Sequence, residues 1–238
     1  MMLTIICVCT IDPTNWKRPV YSKMWVDRLY SAINRNLHLP FEFVCLSNDL
    51  HQPQCSYRVI PLTTNSWGWW NKLDMFRSGL FTGPCLYIDL DVVICKDLTE
   101  VIKNLPQNLV LMPKEPYSVQ SDTVNGKQPY KYVLNSSVVY WNGDYSMLYN
   151  YYVNDRDNIV KKYSNWTEQQ PNIGDQKFIC DNLFNTAAFD DYVPNNFFGW
   201  KHHNTGTVMQ DPSMLVFTST EKPSNNLDLK IVQLNWVD

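Results

Sequence analysis

The stretch "GPCLYIDLDVVI" (residues 83–94) decides how this chain is read. It has the look of a buried apolar strand, yet two carboxylates, Asp89 and Asp91, interrupt it near its end. A charge taken out of water is costly unless it is paired or binds a cation. In a strand, side chains two apart share a face and stand about 7 Å apart along the chain. The spacing therefore predicts Asp89 and Asp91 on one face, with Leu86, Ile88 and Leu90 on the other.

The flanking sequence supplies a frame for this pair. Residues 3–10, 41–47 and 57–62 read as strands. Trp25, Leu29, Ile33 and Leu37 recur at four-residue spacing and predict a helix over 21–37. Trp69, Leu73, Phe76 and Leu80 mark another, ending near Gly79 or Gly83. Strand–helix–strand alternation through residue 95 indicates a parallel, doubly wound α/β half. In such open sheets ligands collect outside the carboxyl ends of the strands. The second half is less regular, with strands expected at 108–113, 132–141 and 213–219 and helices around 144–154 and 174–184. Residues 115–130 form a loop long enough to be functional. Without repeats or a low-complexity linker, residues 1–238 read as one unit, divided into halves 1–95 and 96–238.

Composition narrows the classes. Of 238 residues, 45% are hydrophobic and 18% charged, a globular balance. A net charge of −3 offers no global field for nucleic acid or an anionic membrane, and Lys161–Lys162 reads as a solvated face. The apolar opening "MMLTIICVCTI" lacks a basic leader and is too short to span a bilayer, so an N-terminal core strand is expected. The seven cysteines are odd in number and form no Cys-x-x-Cys pair. They read as buried hydrophobes of a cytoplasmic protein, which leaves the sequons at Asn135 and Asn165 without consequence.

An Asp-x-Asp pair can hold Mg²⁺ or Mn²⁺, which take one or two carboxylates and fill the shell with water and phosphate oxygens. It can equally cap a turn or pair with lysines. The run "WWNKLDMFRSGLFTGPCLYIDLDVVI" (69–94) resembles glycosyltransferases of the GT-A fold, especially relatives of glycosyltransferase family eight, including bacterial and phage members. "NSSVVYW" (135–141), "GDQKFI" (174–179), "GWKHH" (199–203) and "MLVFTSTEKP" (214–223) resemble later segments of that family in the same order, and the opening helix and strand also match.

The resemblance implies a GT-A α/β fold: a Rossmann-like nucleotide-binding half with a mixed central sheet, and an irregular sugar- and acceptor-side half. It implies a metal-dependent transferase using a nucleotide-diphosphate sugar, with a UDP-sugar as the expected donor, a glycan, lipid or protein acceptor, and retention of configuration. Asp89 and Asp91 would hold Mn²⁺ or Mg²⁺, with Asp89 also touching the donor ribose. Lys72 would reach the donor's phosphate or sugar, Asn135 and Ser136 would line the sugar pocket, and Thr10 would contact the base. Asp175 and Gln176 would address sugar hydroxyls near the reacting carbon, and Lys222 would grip the departing diphosphate. One departure stands out: Thr218 and Ser219 occupy the places where relatives carry a His-Gly metal-ligand pair. His202 or His203 is the substitute ligand on offer, although adjacent histidines are more often loop residues.

Simpler readings stand beside these. Asp175 after Gly174 also suits a helix first turn, and Asp190, Asp191 and Asp211 suit turns. Most aromatic residues belong in a core, with Trp67, Trp69 and Trp70 the candidates for stacking on a sugar. Two rival functions remain: a haloacid-dehalogenase-type phosphatase, whose Asp-x-Asp also closes a strand, and a catalytically weak nucleotide-sugar-binding protein.

Overall fold

A computed structural model describes residues 2–10, 21–50, 55–64, 66, 68–114, 134–164, 174–201, 211–218 and 221–237. The chain runs β1 (Leu3–Val8), α1 (Lys23–Asn36), β2 (Phe41–Leu46), β3 (Arg58–Ile60), a 3-10 helix (Gly68–Phe76), β4 (Pro84–Ile88), β5 (Val92–Ile94), α2 (Thr99–Lys103), β6 (Val110–Met112) and β7 (Val138–Asn142). It continues through α3 (Ser146–Asn154), α4 (Arg156–Tyr163), α5 (Gly174–Asn182), β8 (Thr186–Ala188), β9 (Phe198–Lys201), β10 (Met214–Phe217), a 3-10 turn (Pro223–Asn225) and α6 (Lys230–Asn235).

Seven strands form the central sheet in the order β3-β2-β1-β4-β7-β6-β8. β3, β2, β1 and β4 run parallel, as the alternating pattern predicts, whereas β7 is antiparallel to both β4 and β6. β5, β10 and β9 make a second, three-stranded sheet. Both faces of the central sheet are covered, which is why its inner strands are mostly apolar rather than alternating. Ile5, Cys7, Phe43, Cys45, Leu86 and Ile88 face one core, shared with α1 and the small sheet. Ile6, Val44, Leu46, Cys85 and Tyr87 face the other, filled by the 3-10 helix and α3–α5. Cys7, Cys9, Cys45, Cys55 and Cys85 are buried free thiols.

Two sequence expectations need correction. The run 84–94 is not one strand. β4 ends at Ile88, Asp89–Asp91 form a turn closed by the Val92 amide on the Asp89 carbonyl (3.1 Å), and β5 leaves for the other sheet. The two aspartates therefore do not share a strand face. The helix expected over 69–80 is a nine-residue 3-10 helix over Gly68–Phe76. At three residues per turn its buried side chains recur at i, i+3: Trp70, Leu73 and Phe76 form one row, Asn71 and Asp74 a second. Such a long 3-10 helix is uncommon, and the buried Asp74 carboxylate braces it. Asp74 accepts the amides of Thr63 (2.6 Å) and Thr64 (2.9 Å) and pairs with Arg77.

Gly174 opens α5 at φ +77°, and a Cβ there would lie 2.6 Å from the Trp69 indole nitrogen. Gly174→Ala is expected to destabilise the fold by about 2–3 kcal/mol, combining left-handed strain with the clash; urea denaturation measures it.

Candidate active site

At the carboxyl edge of the parallel strands, remote segments converge on Asp89. Continuing the β1–β4 register from Ile6↔Tyr87 by two brings Val8 level with Asp89, and Thr10 lies just beyond on the same edge. The Asp89 amide is held by the Ser137 carbonyl (2.8 Å), which ties the β4–β5 turn to the lead-in of β7. Asp89 Oδ1 accepts a hydrogen bond from the Tyr87 hydroxyl. Its Oδ2 meets the Lys72 ammonium at 3.0 Å.

Lys72 is shared. It lies 3.7 Å from Asp175 Oδ2 and also donates to the Ser136 hydroxyl (3.3 Å) and carbonyl (3.4 Å). Ser136 Oγ in turn donates to Asp175 Oδ2 at 2.6 Å. Asn135 is buried, but its Oδ1 receives the Ser137 amide (2.8 Å), so it shapes the turn that presents Ser136. A second pair stands beside the first: Lys222 Nζ is 2.6 Å from Asp91 Oδ2, and the same oxygen accepts from the Tyr21 hydroxyl at 3.0 Å. Gln176, next to Asp175 on α5, is half-buried.

The structure thus gathers Lys72, Asp89, Asp91, Ser136, Asp175 and Lys222, with Asn135 in support and Thr10 on the same edge. Tyr87 and Tyr21 were missed by the sequence reading. Tyr87 sits two residues before Asp89, near the end of β4, and its hydroxyl reaches forward to the turn. Nothing local marks Tyr21, seventy positions from its partner. Thr218 directly follows β10, with its hydroxyl on the Lys201 carbonyl (3.4 Å). His202, His203, Ser219, Trp67, Asn165 and the loop at 115–130 lie outside the described residues. Trp70 is a core residue, stacked on Tyr152 at 5.4 Å, rather than a sugar platform. A groove of about 520 Å³ lined by Thr63, Thr64, Ser66, Tyr152 and Arg156 shares no residue with the cluster.

Three carboxylates face two ammonium groups here. Burial acts to lower the Lys72 pKa, but Asp175 and Asp89 overcome it and hold the ammonium above the ordinary lysine value. Asp89 is raised above the ordinary carboxylate value, by burial first; Lys72 opposes that and Asp91 reinforces it. The two shifts are compatible: Lys72 has two carboxylates to itself, whereas Asp89 shares that one lysine with Asp175. A divalent cation suits this excess of hard, negative oxygen. Among the described residues no group of three or more His, Cys, Asp or Glu surrounds one position, so an ion on Asp89 and Asp91 would complete its shell with ligand oxygens and water.

No family model and no curated protein matches the chain. Solved structures do. The glycosyltransferase GlyE of Streptococcus pneumoniae TIGR4 aligns with a TM-score of 0.64 at 13% identity, covering 99% of this chain. The galactosyltransferase LgtC, solved with donor and acceptor sugar analogues, aligns at 0.56 and 12%, covering 99% of this chain and 97% of LgtC. The bifunctional glycosyltransferase WbbM aligns at 0.57 and 15%, covering 93% of this chain and 46% of WbbM. The fold is that of the GT-A glycosyltransferases. The chain spans 59% of the GlyE chain. In the GT-A frame the Asp89–Asp91 turn lies where parallel strands present their carboxyl ends, the edge at which open α/β sheets bind ligands.

Lys72→Met removes the charge that Asp89 and Asp175 share and is expected to cost about 3 kcal/mol of stability at pH 7. Because the folded-state ammonium is held above the ordinary lysine value, its contribution is complete below that value and is lost only as pH rises through the raised one. The gap between wild type and variant in chemical denaturation should therefore be as large at pH 9 as at pH 7.

Proposed function

We propose that this protein is a metal-dependent glycosyltransferase related to family eight, moving a sugar from a nucleotide-diphosphate sugar to an acceptor hydroxyl. A UDP-sugar is the proposed donor, and a glycan, lipid or protein the acceptor. One observation carries this reading: Lys72, Asp89, Asp91, Asp175 and Lys222, drawn from separate segments, meet at the ligand edge of a GT-A sheet.

The chemistry of glycosyl transfer asks for stabilisation of charge on a leaving diphosphate, and preorganised cations are the strongest means of supplying it. Mn²⁺ or Mg²⁺ held by Asp89 and Asp91 would neutralise that group. Lys222, beside Asp91, is placed to follow the phosphates, and Lys72 to reach the donor's phosphate or sugar. Asp175, fixed by Ser136, and its neighbour Gln176 would orient sugar hydroxyls. LgtC has been solved as an active-site Gln-to-Glu mutant, which supports a glutamine in the active site here. The resemblance favours retention. The phosphatase alternative is poorly served: its Asp-x-Asp closes the first strand of the domain, whereas Asp89 follows β4.

Asp91→Asn should abolish Mn²⁺-dependent hydrolysis or transfer of the donor, read as nucleoside diphosphate release, while leaving circular dichroism unchanged. Turnover near that of wild type would sink the proposal. Thermal-shift screening of nucleotide sugars with and without Mn²⁺ identifies the donor; a shift without turnover would favour a binding-only protein, and phosphate release from simple esters the phosphatase.

A further inference from the structure

Lys222 does not reach Asp91 as a stray surface chain. Asn225 Oδ1 accepts its amide (2.8 Å), and its carbonyl accepts Asn226 Nδ2 (2.9 Å), which fixes its backbone at the start of the 3-10 turn. Its side chain is 14% exposed and its partner carboxylate 6%. Asp91 Oδ2 therefore already carries an ammonium and a tyrosine hydroxyl. A Mg²⁺ ion binds carboxylate oxygen at roughly 2.0–2.1 Å, and an ammonium hydrogen-bonded to the same oxygen would be held against a divalent ion by like charge with little screening.

We infer that Lys222 is the resident cation of Asp91 in the ligand-free protein, and that a divalent ion takes this carboxylate only as Lys222 withdraws. The charge balance favours such an exchange. With Lys222 in place the cluster carries one negative charge in excess. Its withdrawal leaves two, which a divalent ion matches. A diphosphate is the anion suited to receive the released ammonium. Metal and diphosphate then promote each other's binding by a common factor. The diphosphate half of this inference rests on the nucleotide-sugar reading, whereas the competition between Lys222 and metal stands apart from it.

The test is a titration of the nucleotide-free full chain with Mn²⁺ alone, followed by calorimetry and by the loss of the free-ion paramagnetic resonance signal. Lys222→Met should bind Mn²⁺ about tenfold more tightly than wild type, the scale of removing one weakly screened charge contact. Lys96→Met, which removes a cation paired with Asp211 away from the cluster, should change affinity less than twofold. Adding Asp91→Asn to Lys222→Met should erase the gain. Equal Mn²⁺ affinity in wild type and Lys222→Met, an equal gain in Lys96→Met, or no Mn²⁺ binding by either protein overturns the competition. With UDP present, Mn²⁺ affinity should rise more in wild type than in Lys222→Met; an equal rise overturns the transfer of Lys222 to the diphosphate. Failure of UDP to bind, with the gain in Lys222→Met intact, removes the nucleotide reading and leaves the competition standing.

Discussion

Buried carboxylates at the end of a parallel sheet need a counter-charge, and the Lys72 ammonium supplies it to two of them at once. Isolated buried ions cost several kcal/mol each, so Asp89 and Asp175 would oppose folding if Lys72 were absent. That requirement accounts for much of what surrounds it. The 3-10 helix carries Lys72 under the end of β4, Asp74 braces that helix against Thr63 and Thr64, and Gly174 lets α5 come close enough to Trp69 to bring Asp175 into range. Packing and electrostatics are thus solved together.

The solution is incomplete by design of the charges. Raised Asp89 and raised Lys72 describe one cluster seen from its two signs: too few cations for the carboxylates, more than enough carboxylate for the lysine. A folded protein tolerates a surplus charge of this kind where a ligand removes it, and perturbed groups in a cleft are characteristic of such places. The same arrangement would be hard to justify as a purely structural ion-pair network.

Much of this was legible in the chain. The strands of the first half announced themselves through continuous apolar runs, and Asp89, Asp91, Lys72, Asp175 and Lys222, which the resemblance singled out, fall in one cluster. The failures have physical causes. Val92–Ile94 continues the apolar run of β4, so the turn between two sheets is invisible to a hydrophobicity pattern that reads both as one strand. The 3-10 helix was read with a four-residue period, although Trp70, Leu73 and Phe76 carry the three-residue one. Tyr21 joins Asp91 only through tertiary placement, which no local pattern reports. Asn135 is present as expected, yet its carbonyl oxygen is committed to the Ser137 amide.

The reversed strand β7 has a consequence of its own. β6 runs with β4 and so ends at the ligand edge, while β7, running against both, begins there. The 25 residues from 113 to 137 therefore leave and re-enter the sheet on the same rim. The Lys114↔Leu134 bridge draws the two ends of that span together. That neck thus opens on the rim where the Ser137 carbonyl holds the Asp89 amide.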